Sequence, residues 1–182
     1  FLVVVTLINL VADLSSKGWA KNHFDTAPVG EREVVIISDL LNIIYAQNRG
    51  GAWGFLQNET ESLRRPFFLV VSVAAIVFIV TLYRKLEKSQ WVLKWGLPMV
   101  LGGAMGNFVD RVRYGFVVDF IDVWTEVKTG DFLSTFISPG VHHWPTFNIA
   151  DVSICIGVAL MAIDMFMPQG QGAESKTSTA QD

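Results

Sequence analysis

Cysteine is almost absent from this chain: Cys155 is alone among 182 residues. A disulfide-stapled scaffold is therefore excluded. Charge is also scarce, at 17%, where soluble domains carry about 25%. Basic residues do not predominate: 14 Lys and Arg face 17 Asp and Glu, for a net charge of −3 and a pI of about 5.6. That balance disfavours a nucleic-acid partner, which needs a basic face to neutralise phosphates. Internal repeats are missing, and low complexity is confined to the tail after Pro168. Apolar residues, in contrast, make up 51% of the chain, with a mean hydropathy of +0.40. Intrinsic disorder is excluded on that ground. These apolar residues come in runs, with the charges set between them.

The clearest run is Phe67 to Tyr83, 17 residues without a charge, opened by Pro66 and closed by Arg84-Lys85. About 20 apolar residues cross the ~30 Å hydrocarbon core, and about 17 suffice. Residues 91–109, 148–167 and 1–20 form three further candidates. Their few charges, Lys94, Asp151, Asp164, Asp13 and Lys17, lie toward span ends, where long basic stems reach the interface. A cleaved signal peptide would need a basic start and a small-residue exit; residues 1–20 have neither, so a retained span is expected, with a start missing from this numbering. The expected fold is thus a mainly α membrane protein with four transmembrane helices. Residues 1–167 form one integral membrane domain and residues 168–182 a disordered cytoplasmic tail. Arg84, Lys85, Lys88 and Lys94 make the most basic loop, which is expected in the cytoplasm. Alternation then puts both termini there and the two longer loops outside. In the first of these, EVVIIS and LLNIIYA are β-branched and apolar enough for strands, predicting a small extracytoplasmic sheet at the membrane surface. In the second, Val117 to Trp124 reads as a short interfacial helix or strand. The six tryptophans (Trp19, Trp53, Trp91, Trp95, Trp124, Trp144) fall mostly near expected interfaces, as in an aromatic belt.

Ionisable residues in a span are expensive and mark function by default. Asp13, Lys17, Asn107, Asp110, Arg111, Asp119, Asn148 and Asp151 all fall at the outer ends of spans or just beyond, so they meet at one depth. Asp164 lies near the inner end and reaches the headgroups. Asp13 and Lys17 share a helix face, acid before base; they read either as a structural ion pair or as a polar wall of a substrate site. Gly102 and Gly106 frame a small-residue stretch that lets helices approach closely, and Pro98 can kink the same span. Asp119 and Asp151 are the sharpest pair. Two carboxylates forced together keep one proton between them and so hold a base and an acid at once, which water-mediated peptide hydrolysis requires. Proton relay in a transporter and two separate surface acids are the other readings of that spacing. Cys155 has no acid–base neighbours in sequence and reads as packing. His142-His143 lack helical zinc-ligand spacing, and Asn58-Glu59-Thr60 is a chance-level glycosylation match.

Four blocks in order resemble one known family, the bacterial lipoprotein signal peptidases (signal peptidase II). Asp13-Leu-Ser-Ser-Lys17 is similar to its D-x-x-[ST]-K block, and Asn48-Arg-Gly-Gly-Ala-Trp53-Gly54 to its N-x-G-x-A-F-G block. Gly102 through Asn107, Asp110-Arg111, Gly115 and Val-Val-Asp119-Phe-Ile resemble the long third-span signature. Phe147-Asn148-Ile-Ala-Asp151 resembles F-N-x-A-D. The resemblance implies an aspartic endopeptidase of the bacterial cytoplasmic (inner) membrane, multi-pass, with its site at the extracytoplasmic face. It implies no cofactor and no metal, and a substrate prolipoprotein carrying diacylglycerol on the cysteine after the cut. By position, Asp119 and Asp151 are implied as the catalytic pair. Asp13, Lys17, Asn48, Asn107, Arg111 and Asn148 are implied around the substrate, with Asp110, Gly102 and Gly106 in support. Partners are then lipidated prolipoproteins and membrane lipid, with no nucleic acid, and a monomer is expected. Two departures stand out. Trp53 replaces the usual Phe, and the stretch from Asp122 to Pro145 is longer than the family pattern, an outer loop that acts as a lid or is merely tolerated. The rival reading, a small proton-coupled transporter relaying through Asp119 and Asp151, requires midplane acids and pseudo-symmetry, which the sequence lacks. A presenilin-type protease requires a G-x-G-D block, also missing.

Overall fold

A computed structural model describes residues 1–28, 31–51, 54–87 and 89–167 of the chain. Ala52 and Trp53 of the second block, Lys88 of the basic loop and the tail from Pro168 lie outside the described residues. Four long helices and a four-stranded sheet account for most of the rest: α1 (Leu2–Phe24), β1 (Glu33–Ile37), β2 (Leu41–Asn48), α2 (Glu61–Arg84), α3 (Trp91–Tyr114), β3 (Val117–Val127), β4 (Gly140–His143) and α4 (Ile149–Phe166). The fold is mainly helical, as the apolar runs predict.

Three helices, α1, α2 and α4, are long and apolar enough to cross a membrane. Their outward residues are large and apolar: Val4 and Ile8 on α1, Val70 and Phe78 on α2, Val158 and Ile163 on α4 are all exposed. α3 is equally long but less apolar. It packs against α1, α2 and α4 and buries more of its length than they do, including Gly96, Gly102, Gly103, Gly106, Asn107 and Asp110. A helix surrounded by helices is packed by small residues rather than selected for lipid solubility. Its glycines are contact points. A Cβ on Gly102 would sit 2.7 Å from Asn9 Cβ of α1, and one on Gly106 would collide with the Asp13 carboxylate. On the other side, Gly96 and Gly157 meet backbone to backbone, and Gly103 meets the Ala150 carbonyl.

Helix ends differ from the sequence expectation. α2 begins at Glu61, with Pro66 inside it. A proline in the second turn forfeits one backbone bond, which packing tolerates. α3 continues past Val109 to Tyr114, and Gly115 then stops it in the left-handed region (φ 78°), its N–H bonding the Arg111 carbonyl. Only glycine adopts that φ without strain, and the turn sends the chain straight into β3.

The sheet is antiparallel in the order β1-β2-β3-β4. EVVII and LNIIYAQN form the two strands expected of the first outer loop. Val117 to Trp124 resolves as strand, the start of the long β3, with Asn48 opposite Val117 and Ala46 opposite Asp119. β4 was not anticipated; it pairs Trp124 with His143 and Val127 with Gly140. Phe120 of β3 packs with Ala20 and Phe24 at the end of α1, which seats the sheet on the helices.

Candidate active site

Two short links bring the acids together. The first is the stretch before α4. Phe147 bridges Ile121: its carbonyl accepts from the Phe120 and Ile121 N–H groups at 3.0 and 2.9 Å, and its N–H donates to the Ile121 carbonyl at 3.1 Å. The N-terminus of α4 is thereby stitched to β3, next to Asp119. The second link is the cap of α4. Asn148 is the N-cap; its side-chain oxygen accepts from the Asp151 N–H at 3.0 Å, and the Asp151 carboxylate accepts from the Asn148 N–H at 3.2 Å. This reciprocal box satisfies two helix-end donors and fixes the Asp151 carboxylate in orientation.

The spare amide hydrogens of Asn148 point at β3. Its Nδ2 donates to Asp119 Oδ1 at 2.6 Å, with the Val118 carbonyl and Asn107 Oδ1 more distant at 3.3 and 3.4 Å. Asn107 Nδ2 in turn donates to Asp151 Oδ1 at 3.0 Å. The asparagines therefore bracket both carboxylates. Asp119 is 1% exposed, and its Oδ2 has no hydrogen-bond partner among the described residues. Burial, and then the charge of Asp151, push the Asp119 carboxyl up from its ordinary 3.8 to about 7, while the amides of Asn48 and Asn148 and the Lys17 charge pull the other way. A pair that keeps one proton near neutrality can act as acid and base together.

Asp13 and Lys17 stand behind this wall. They are 0% and 2% exposed and do not line the cleft described below. Lys17 Nζ meets Asp13 Oδ2 at 2.8 Å, Asp110 Oδ2 at 3.3 Å and Asn107 Oδ1 at 2.8 Å. A buried ammonium is tolerated only with such partners. Asp13 Oδ1 accepts from the Ala150 N–H at 2.9 Å, and Asp110 Oδ2 accepts from the Val118 N–H at 3.1 Å. The cluster thus pins the α4 N-terminus, β3 and Asn107 to α1. Of the two readings of Asp13–Lys17 from spacing, this geometry is that of the structural ion pair.

A cleft of about 810 Å³ opens in front of Asp151, Asn107, Arg111 and Asn48. Asn48 Oδ1 accepts from the Gly50 N–H at 3.1 Å, turning the loop that follows β2. Arg111 donates from Nη2 to the Gly50 carbonyl at 3.4 Å, and its guanidinium lies 4.7 Å from the Phe68 ring centre, a cation–π contact. The cleft continues along α4 past Val152, Ile154, Cys155 and Ile156, so one end is polar and the other apolar. Gln57, Gly54 and Trp144 to Thr146 also line it. Sequence reasoning missed Gln57, Pro145 and Thr146, since a lone glutamine in a loop carries no spacing signal, and it gave Trp144 only an interfacial role. The two histidines lie elsewhere: His143 Nδ1 meets Asp122 at 2.9 Å, and His142 Nε2 meets the Ser138 carbonyl at 2.7 Å.

The chain is similar to known proteins over most of its length. The family model described as Signal peptidase (SPase) II matches residues 5–167. The lipoprotein signal peptidase of Geobacter metallireducens is 36% identical over 162 residues, covering 89% of this chain and 88% of that protein. That of Geobacter sulfurreducens is 37% identical over 169 residues, 93% of each. Two solved structures of bacterial membrane enzymes superpose with TM-scores of 0.70 and 0.69, at 25% and 29% identity. They cover 97% and 92% of this chain, and 94% and 93% of theirs. By sequence over nearly its whole described length, the chain belongs to the signal peptidase II family.

Proposed function

We propose that the chain removes signal peptides from diacylglyceryl-modified prolipoproteins, cutting before the lipidated cysteine, with Asp119 and Asp151 as an aspartic acid–base pair. The observation that carries the catalytic reading is the bracketing of two carboxylates by Asn148 and Asn107: Asp151 lines the polar end of a cleft whose other end is apolar, and Asp119 is buried directly behind it. Such a cleft suits a peptide bond joined to a lipid. Family membership supports the same substrate class, and the transporter alternative finds no support in it.

In this reading Asp151, already an acceptor from two donors, takes a proton from water as its oxygen adds to the scissile carbonyl carbon. Asp119 gives its proton to the carbonyl oxygen. The proton on Asp151 then passes to the departing cysteine nitrogen as the C–N bond breaks, and the gem-diol proton returns to Asp119. One proton is shared throughout, as acid–base catalysis by a carboxyl pair requires. The direct test is cleavage of a lipidated precursor by the purified protein in lipid; failure to cleave it while the protein is folded sinks the proposal.

The pH dependence follows from Asp119. Its proton is lost as pH rises through about 7, so kcat/KM is expected to decline above that pH, approaching about tenfold per unit. A profile flat to pH 9 contradicts the assignment. Stability carries the same sign. The folded protein binds more protons than the unfolded one between 3.8 and about 7, so this group's contribution is full below that window and is lost as pH rises through it.

Arg111 is read as a substrate-positioning residue, since an arginine holds its proton and cannot be the base. Arg111→Lys keeps a charged stem but loses the planar fork. It is expected to insert normally and to lose about tenfold or more in cleavage, the worth of one or two charged hydrogen bonds. Near-normal cleavage by this variant would make Arg111 an interfacial anchor only.

The reading also takes all four helices across the bacterial inner membrane, α3 included, shielded from lipid by its neighbours, with the site at the extracytoplasmic face and a monomer as the working unit. Cysteines at Ser89 and Thr60 are then expected to label from opposite sides. Labelling of both from one side breaks that topology.

A further inference from the structure

The long stretch between β3 and β4 is an apolar tip on a polar stem. Residues 132–144 contain no Asp, Glu, Lys or Arg. The charges sit at the base of the tip: Lys128 pairs with Glu126 at 3.7 Å, and the Asp131 carboxylate accepts from the Lys128 N–H at 2.9 Å, closing the turn. Beyond that turn a short 3-10 helix, Phe132–Thr135, brings Phe132 and Phe136 edge to face, with ring centres 5.5 Å apart. The two rings are 79% and 73% exposed, and Ile137, next in sequence to Phe136, and Val141 of β4 are exposed as well. A contiguous apolar patch of this kind marks a contact surface rather than a water-facing loop.

The chain itself indicates what covers it. β4 ends at His143; Trp144 donates its N–H to the Val123 carbonyl at 2.8 Å, and Asn148 already caps α4. The tip is therefore joined by Trp144–Phe147 to a helix apolar enough to cross a membrane, whose exposed face carries Ile156, Val158 and Ile163. The four linking residues span at most about 14 Å, so the root of the tip lies close to headgroup depth. Trp144 at that root is exposed, as interfacial tryptophans are.

We infer that residues 128–143 form a lipid-anchored strap: Phe132, Phe136 and Ile137 enter the outer leaflet, continuing the lipid-facing surface of α4, with phospholipid acyl chains as the partner. This rests on the transmembrane reading of α4 but not on the peptidase chemistry. The strap's return strand leads into Trp144, Pro145 and Thr146, which line the cleft. The anchored tip therefore holds one wall of the cleft against the membrane surface, where a lipid-bearing substrate arrives.

The test uses nitroxide labels on single cysteines in a Cys155→Ser background, in vesicles of phosphatidylethanolamine and phosphatidylglycerol. Labels go at Phe132 and Phe136, at Ile163 as a lipid reference and at Glu59, which is exposed on the outer loop, as a water reference. Accessibility to oxygen relative to a water-soluble nickel chelate is expected to be several-fold higher at 132 and 136 than at 59, approaching the value at 163. If 132 and 136 match 59 while 163 reports lipid, the strap inference fails and the span of α4 stands. If 163 also reports water, the span reading fails and takes the strap with it. Spin–spin broadening at 132 or 136 that grows with protein density assigns the tip to a second copy instead, which also overturns the inference.

Discussion

Asp119→Asn and Asp151→Asn are each expected to reduce cleavage of a lipidated precursor by about 10²–10⁴-fold, the usual worth of a positioned acid or base. An amide neither takes nor gives the proton. The two variants should nevertheless differ in stability, which makes the pair more informative than either alone. At position 119 the amide oxygen can still accept from Asn148 Nδ2, and a group that resists ionisation near neutrality is replaced by one that never ionises. Asp119→Asn is therefore expected to be at least as stable as the parent at pH 8. At position 151 the carboxylate accepts on both oxygens, from Asn107 Nδ2 and from the Asn148 N–H. An amide keeps one acceptor and sets its NH₂ against another donor. A loss of about 1 kcal/mol or more is expected for Asp151→Asn. Thermal unfolding of both variants in detergent, beside the cleavage assay, checks this. Substantial activity in either, at normal folding, removes that residue from the pair.

Lys17→Met is expected to be the most destabilising single change at the site, by about 3–5 kcal/mol, because it leaves buried carboxylates without their counter-charge. Asp13 and Asp110 both lean on that ammonium, and Asn107 is oriented by it. Cleavage should fall with stability, since Asn107 is the link from Lys17 to Asp151. The double variant Asp13→Asn/Lys17→Met separates charge imbalance from lost packing. It is expected to recover part of the loss, so that the two changes are not additive. A Lys17→Met protein that melts within a degree or two of the parent would contradict the buried-cluster account, as would full additivity.

Much of this was legible in the sequence because the bilayer writes a coarse code. An uninterrupted apolar run marked α2, and one with acids only toward its ends marked α4; β-branched apolar stretches marked β1 and β2, and the gathering of Asp, Asn and Arg at span ends marked one depth. Ends and partners were less legible. Asp110, Arg111 and Arg113 look like residues leaving the membrane, yet α3 runs on to Tyr114 because Asp110 faces Lys17 and the Val118 N–H instead of water. Lys17 looked like one half of a local pair with Asp13; its burial depends on acceptors contributed by α3 from about 90 positions away, which no local spacing reveals. The β3–β4 hairpin was hidden for a different reason. Gly140, Pro139 and two histidines read as loop, and the pairing that makes them a strand lies on the far side of a turn.

The stitching of Phe147 to Ile121, and the cap that follows it, has a consequence for biogenesis. α4 comes after every other described element in chain order, so during synthesis β3 and Asp119 exist before their counterpart does. Until α4 docks, Asn148 is not there to hold Asp119, Ala150 is not there to occupy Asp13, and the second carboxylate is missing altogether. If the two carboxylates are the catalytic pair, a nascent chain that lacks α4 carries no hydrolytic capacity. On the proposed assignment, competence arrives in one step with the docking of α4, and the late place of that helix in chain order guards against premature proteolysis.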